Sequence, residues 1–121
     1  MTNINRTMEL MAKGLPISKA LETVYRTRRV SFPFDNKNFN VHVEELSLSN
    51  RTYNALMRAR LSKLDKIIDY IQTNGWNDIK NLGRKSATEL YEKILDVAWE
   101  HMETEERAEF LLRVDAENDA R

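Results

Sequence analysis

The chain has 121 residues, 41% hydrophobic and 31% charged, with 19 basic and 19 acidic side chains and no cysteine. That length suits one compact domain, or a small domain with an extension, and the absent cysteines exclude disulfides, thiolate metal sites and cysteine nucleophiles. No apolar run approaches the roughly 20 residues of a bilayer span, and the zero net charge argues against indiscriminate adhesion to nucleic acid.

The opening Met1-Thr-Asn-Ile-Asn-Arg6 lacks the charged-then-apolar pattern of a signal peptide, so a soluble, cytoplasmic protein is expected. Ile4, Met8 and Met11 recur at i, i+4, i+7 and predict a helix over 1–13 with those three on its apolar face. Gly14 and Pro16 then interrupt it. A second helix is expected from Ser18 to Arg28, with Leu21, Val24 and Tyr25 as its stripe. Its basic end, Arg26, Arg28 and Arg29, suits a helix C-terminus. The period then changes. Val30, Phe32 and Phe34 alternate with polar residues, as do Phe39, Val41 and Val43, and a polar turn joins the two runs; this reads as a β-hairpin, with Pro33 confining its strand to an edge.

From Leu46 onward the chain reads as helical. Ser49 is a suitable N-cap for a helix over 50–59 with Tyr53, Leu56 and Met57 inward. Ser62 is placed to cap a helix over 63–73, whose Leu64, Ile67, Ile68 and Ile71 make a clean stripe and which Asn74-Gly75 ends. Trp76 and Ile79 open a short helical turn. A long helix over 84–101 carries Leu90, Ile94, Val97 and Ala98 on one side. Thr104 is expected to cap a last helix through Val114, followed by a frayed polar end. The fold class is therefore mainly α: a compact helical domain with a helix-hairpin-helix-like turn, preceded by two short helices and a small β-hairpin. Three parts are expected. Residues 1–43 hold the helices and hairpin, 44–101 the domain, and 102–121 an acidic helix and tail. Charge is polarised along the sequence: residues 1–34 carry a net +4, residues 44–95 a net +2, and residues 96–121 a net −6.

The segment with chemical content is Asn81-Leu-Gly-Arg-Lys-Ser86. A glycine in a turn before a helix lets backbone amides come close to a phosphate. The helix start adds orphan N–H donors and partial positive charge. Arg84 and Lys85 add full charges, and Ser86 a hydroxyl. The plainer reading is a capping box, which Ser86-Ala-Thr-Glu89 also fits. Arg51 and Asn54, three residues apart at the start of a helix, share a face. Arginine suits insertion into a narrow, electronegative minor groove, and asparagine can donate to the acceptors that A·T pairs show there. Their plainer reading is a pair of solvated first-turn residues.

Together these two motifs carry a resemblance. The run Val43-Glu-Glu-Leu-Ser-Leu-Ser-Asn-Arg-Thr-Tyr-Asn-Ala-Leu-Met-Arg-Ala59 resembles the opening of the C-terminal domain of the bacterial RNA polymerase α subunit. There a Glu-Leu-x-Leu-Ser/Thr run leads into a helix bearing Arg-Ser-x-Asn-x-Leu. Asn81–Ser86 matches that family's second signature, with Glu89 at the expected spacing. The resemblance spans residues 43–100. It implies binding to AT-rich double-stranded DNA in the minor groove, and docking of transcription factors or RNA polymerase components. It also implies a DNA-facing set of Arg51, Asn54, Asn81, Gly83, Lys85, Ser86 and Glu89. Arg84 adds charge beside them, and Glu89 serves to orient a basic neighbour or accept from a donor. Residues 1–42 are too few for the polymerase assembly domain of a full α subunit, so a stand-alone DNA-binding transcription protein, nucleoid-associated when bound, is expected.

A single domain of this kind covers about 600–1,000 Å² of DNA-facing surface, with a log–log salt slope of about −2 to −3. Such binding is weak, so residues 1–43 are expected to add a homodimer contact or docking. The competing reading is a protein-interaction module that mimics the α domain and captures activators, sigma factor or polymerase without DNA. An enzyme is not expected. His42 and His101 are far apart in sequence, Glu44-Glu45 and Glu105-Glu106 read as solvated or helix-N-terminal charges, and no phosphate loop, metal-ligand spacing or cofactor signature is present. No catalytic residue, metal or cofactor is assigned.

Overall fold

A computed structural model describes residues 2–26, 41–75 and 78–119. Six α-helices and one 3₁₀ turn make up the described elements: α1 (Asn3–Ala12), α2 (Ile17–Tyr25), a 3₁₀ turn (Val43–Leu46), α3 (Asn50–Arg58), α4 (Leu64–Asn74), α5 (Arg84–His101) and α6 (Thr104–Asp119). The mainly helical class expected from the sequence is the observed one. The described residues fall into two compact units, one from 2–26 and 95–119, the other from 41–75 and 78–94. α5 supplies residues to both.

In the first unit α1 packs on α2 and on α6. Thr2 caps α1, its hydroxyl accepting from the Asn5 N–H at 3.1 Å. The buried centre of α1 is Thr7, fully inaccessible, with Ile4 and Met11 half-buried beside it. The expected Ile4–Met8–Met11 face is thus turned by one position, and Met8 is exposed. Thr7 can occupy the centre because its hydroxyl donates to the Asn3 carbonyl at 2.8 Å, so no buried polar group is left unsatisfied. α2 buries Ile17, Ala20, Leu21 and Val24. It stops at Tyr25, short of the expected Arg28, because Arg26 adopts a left-handed conformation with φ 55° and returns its N–H to the Glu22 carbonyl. Arg28 and Arg29 lie outside the described residues.

The acidic C-terminal segment is built into this unit. α6 runs to Asp119, past the expected Val114, and buries Phe110, Leu111 and Val114. Its start is held by Glu103 instead of Thr104: the Glu103 carbonyl takes the Arg107 N–H, and its own N–H donates to the Glu106 carboxylate at 3.2 Å. Asp115, expected to fray, accepts the Tyr25 hydroxyl at 2.8 Å. Trp99 is a buried packing residue. It is tilted against Phe110, with the Arg107 guanidinium 4.8 Å from its ring centroid. Asp96 accepts both the N–H and the hydroxyl of Ser18, at 2.9 and 3.0 Å, and so anchors the start of α2.

The second unit is assembled on α4, whose Leu64, Ile67, Ile68 and Ile71 are all buried as their spacing predicts. Gly75, with φ 86°, ends it. The first part of α5 packs Leu90, Tyr91 and Ile94 into the same core. Most of the expected hairpin, and Trp76, lie outside the described residues. The hairpin's last three residues do not extend a strand. His42 forms an isolated antiparallel bridge with Lys63, and Val43 starts the 3₁₀ turn. The Leu64 N–H donates to the Val41 carbonyl at 2.8 Å and the Val43 N–H to the Ser62 carbonyl at 2.9 Å. This bridge explains why Ser62 is not the cap of α4. The first orphan donor of the helix is already taken by backbone, so α4 begins one residue later with Lys63 in the capping position and no side-chain bond.

Candidate nucleic-acid interface

α3 begins as its sequence predicts. Ser49 caps it, its hydroxyl accepting from the Thr52 N–H at 3.4 Å. The helix buries Thr52, Ala55 and Leu56; Met57, expected inward, is exposed. With Ala55 and Leu56 facing the core, Arg51, Asn54 and Arg58 at i, i+3, i+7 fall on the outer face, and all three are exposed. α3 closes with Leu61 donating to the Leu56 carbonyl at 2.9 Å across a left-handed Arg60, φ 60°.

The opposing wall is the loop before α5. The Leu82 N–H donates to the Ile79 carbonyl at 3.2 Å, and buried Ile79 pins the loop to the core. Upstream, the Tyr70 hydroxyl donates to the Asp78 carboxylate. That hydrogen bond pushes the Tyr70 phenol above its ordinary pKa, with desolvation and the carboxylate charge adding to the rise. Asn81 is left-handed, φ 68°, a conformation asparagine accepts more readily than other non-glycine residues. Gly83 is not in that region: its φ is ordinary, and an added Cβ would meet nothing within 4 Å. The conformational burden of the turn therefore falls on Asn81, and among the described residues nothing requires glycine at position 83.

Between these walls lies an open groove of about 610 Å³, lined by Arg51, Asn54 and Arg58 on α3 and by Lys80, Asn81 and Gly83 on the loop. Ala55, Ile79 and Leu82 also line it. Of the residues expected to face DNA, four meet here: Arg51, Asn54, Asn81 and Gly83. Arg84 and Lys85 are exposed in the first turn of α5. Gly83 occupies the capping position of α5, its carbonyl accepting the Ala87 N–H at 2.8 Å. Glycine offers no side-chain acceptor, so the first-turn N–H groups of Arg84, Lys85 and Ser86 are those a helix leaves for an external partner. Ser86 lies inside the helix and is buried at 8% exposure, so it is not the cap that the capping-box reading requires.

Glu89 has a different attachment. Its carboxylate accepts the Ser49 N–H at 2.9 Å, the Ser49 hydroxyl at 2.9 Å and the Thr52 hydroxyl at 2.5 Å. Burial pushes this carboxyl up, but the hydrogen bonds from Thr52 and Ser49, helped by the Lys93 charge, outweigh it and hold the group below the usual carboxylate range. Glu89 thus ties the N-terminus of the Arg51 helix to α5. Sequence reasoning assigned Arg51 and Asn54 to one face but stopped short of Arg58, whose signal was the same helical spacing carried one step further. It also missed Lys80, which carries no spacing signal and becomes visible only when the loop is folded against α3.

The family of the C-terminal domain of the bacterial RNA polymerase alpha subunit matches residues 32–96, just over half the sequence. The chain belongs to this family. Among similar proteins are DNA-directed RNA polymerase α subunits of Mesostigma viride, 39% identical over 58% of this chain and 22% of the relative, and of Trichormus variabilis, 40% identical over 50% and 19%. That of Chlorokybus atmophyticus is 45% identical over 48% and 18%. The chain spans about a fifth of the length of these α subunits. No solved structure gives a significant match. Both α C-terminal-domain motifs, 43–59 and 81–86, fall within the matched segment. No described helix is long and apolar enough to cross a membrane, and no cluster of metal-ligating side chains occurs among the described residues.

Proposed function

We propose that this chain is a non-catalytic, transcription-related DNA-binding protein that grips AT-rich duplex through the groove between α3 and the loop before α5. The observation that carries the reading is that Arg51 and Asn54, from one motif, and Asn81 and Gly83, from another about thirty positions on, line one groove. Arg51 enters the minor groove, where a narrow A-tract concentrates negative potential. Asn54 and Asn81 donate to the N3 and O2 acceptors of A·T pairs. The α5 start, with Gly83, Arg84, Lys85 and the Ser86 N–H, takes a phosphate. Glu89 acts by holding α3 in place. Transcription factors or polymerase components are the protein partners this reading allows, and residues 1–43 are the proposed place for self-association or docking.

A mobility shift on AT-rich and GC-rich duplexes tests the reading, with Arg51→Ala beside the natural protein. The expected result is tighter binding to the AT-rich duplex and loss of that preference, with at least a tenfold loss of affinity, in Arg51→Ala; tenfold corresponds to about 1.4 kcal/mol. Unchanged binding by Arg51→Ala refutes the groove model. Retained capture of an α-subunit partner by a protein that never binds DNA supports the interaction-module reading in its place.

A further inference from the structure

Two basic residues of the groove lie outside the DNA-facing set that the resemblance implies. Arg58 is the last residue of α3, and Lys80 precedes the left-handed Asn81. Both line the groove with Arg51, and both are exposed. Among the described residues none of the three is in an ion pair, and no carboxylate lines the groove. Glu89 is engaged with Ser49 and Thr52, and Asp78, two residues before Lys80, with the Tyr70 hydroxyl. A cleft with three uncompensated cations concentrates positive potential between low-dielectric walls.

Spacing indicates what this lining can hold. Arg51 and Arg58 are seven residues apart, so their backbones are separated by about 10.5 Å along α3. That is roughly three nucleotide rises of one strand at about 3.4 Å each, a spacing that suits the two guanidiniums to different phosphates. Resting on the proposed DNA-binding reading, we infer that Arg58 and Lys80 are additional phosphate-contacting residues, lengthening the footprint beyond the arginine insertion point. They neutralise backbone charge and read no bases. Their contribution is to affinity and salt dependence, and Arg51 with the asparagines sets the A·T preference.

Fluorescence anisotropy of the full-length protein on a labelled AT-rich duplex, across a salt series, tests this. Arg58→Ala and Lys80→Ala each flatten the slope of log K against log salt by about 0.9. Between about 50 and about 200 mM salt, each variant therefore loses about 3.5-fold less affinity than the natural protein, and the double variant about 12-fold less. The ratio of AT-rich to GC-rich affinity stays unchanged in both, and Arg58→Lys keeps the full slope because a phosphate needs only the charge. If the slopes match the natural protein's while Arg51→Ala abolishes the A·T preference, the inference fails and the DNA-binding reading stands. If the natural protein shows no salt-dependent DNA binding, both fail. Polyglutamate is the control: capture of it at lower concentration than duplex, lost in Arg58→Ala, overturns the phosphate assignment in favour of an acidic protein segment.

Discussion

Removing the Glu89 carboxylate should do more damage than its partly exposed position suggests. Three donors converge on it: the Ser49 N–H, the Ser49 hydroxyl and the hydroxyl of Thr52, which is fully inaccessible. Hydrogen bonds to a charged acceptor contribute about 1.5–3 kcal/mol each when well buried, and a cap about 0.5–2 kcal/mol. Partial exposure reduces the former. Glu89→Ala is therefore expected to cost about 2 kcal/mol, and Glu89→Gln less. Glutamine can keep its oxygen on the Ser49 N–H and turn its NH₂ to the two hydroxyls, which accept as well as donate, but it loses the charge that strengthens all three bonds. The assay is urea unfolding of Glu89→Ala, Ser49→Ala and the double variant. The two substitutions should couple by about 1 kcal/mol, since each removes the other's partner. The pH dependence has a definite sign. Glu89 is held below its ordinary pKa, so its stabilisation is fully present above the usual carboxylate range and is lost as pH falls through the depressed folded-state value. Glu89→Gln should flatten that part of the acid limb. Costs that simply add, or a loss in Glu89→Ala of less than about 0.5 kcal/mol, would refute the argument.

Gly83→Ala separates a structural glycine from a binding one. Its ordinary φ and open surroundings predict a stability change within about 1 kcal/mol, while a methyl at the phosphate-facing turn should weaken duplex binding several-fold by anisotropy. Tyr25→Phe removes the hydroxyl that bonds Asp115. It should cost about 1 kcal/mol in thermal unfolding and speed amide exchange in the last turns of α6, without changing DNA affinity.

How much the sequence revealed depended on whether the deciding interaction was local. The α4 stripe and the Ser49 cap were legible because helical period and capping are set within a few residues. So were the ends of α5 and the α3 position of Arg51 and Asn54. Thr7 was not, because a buried threonine satisfied by its own helix carries no apolar signal. The loss of Ser62 as a cap depended on a backbone bridge from Val41, about twenty residues upstream. The tail of α6 looked too polar to hold, and its anchoring contact comes from Tyr25, ninety residues away. Within the site, the two motifs were legible separately. Their meeting in one groove, the capture of Glu89 by α3 and the arrival of Lys80 in the groove that Arg58 also lines all follow from tertiary placement.

The most direct measurement is a ¹H–¹⁵N NMR titration of the full-length protein with an AT-rich duplex. Amide shifts should concentrate on Arg51, Asn54 and Asn81 and on the Gly83–Ser86 turn, with the Arg51 side-chain resonance among the most displaced. Shifts confined to α1, α2 and α6, with the Gly83 turn silent, would contradict the account.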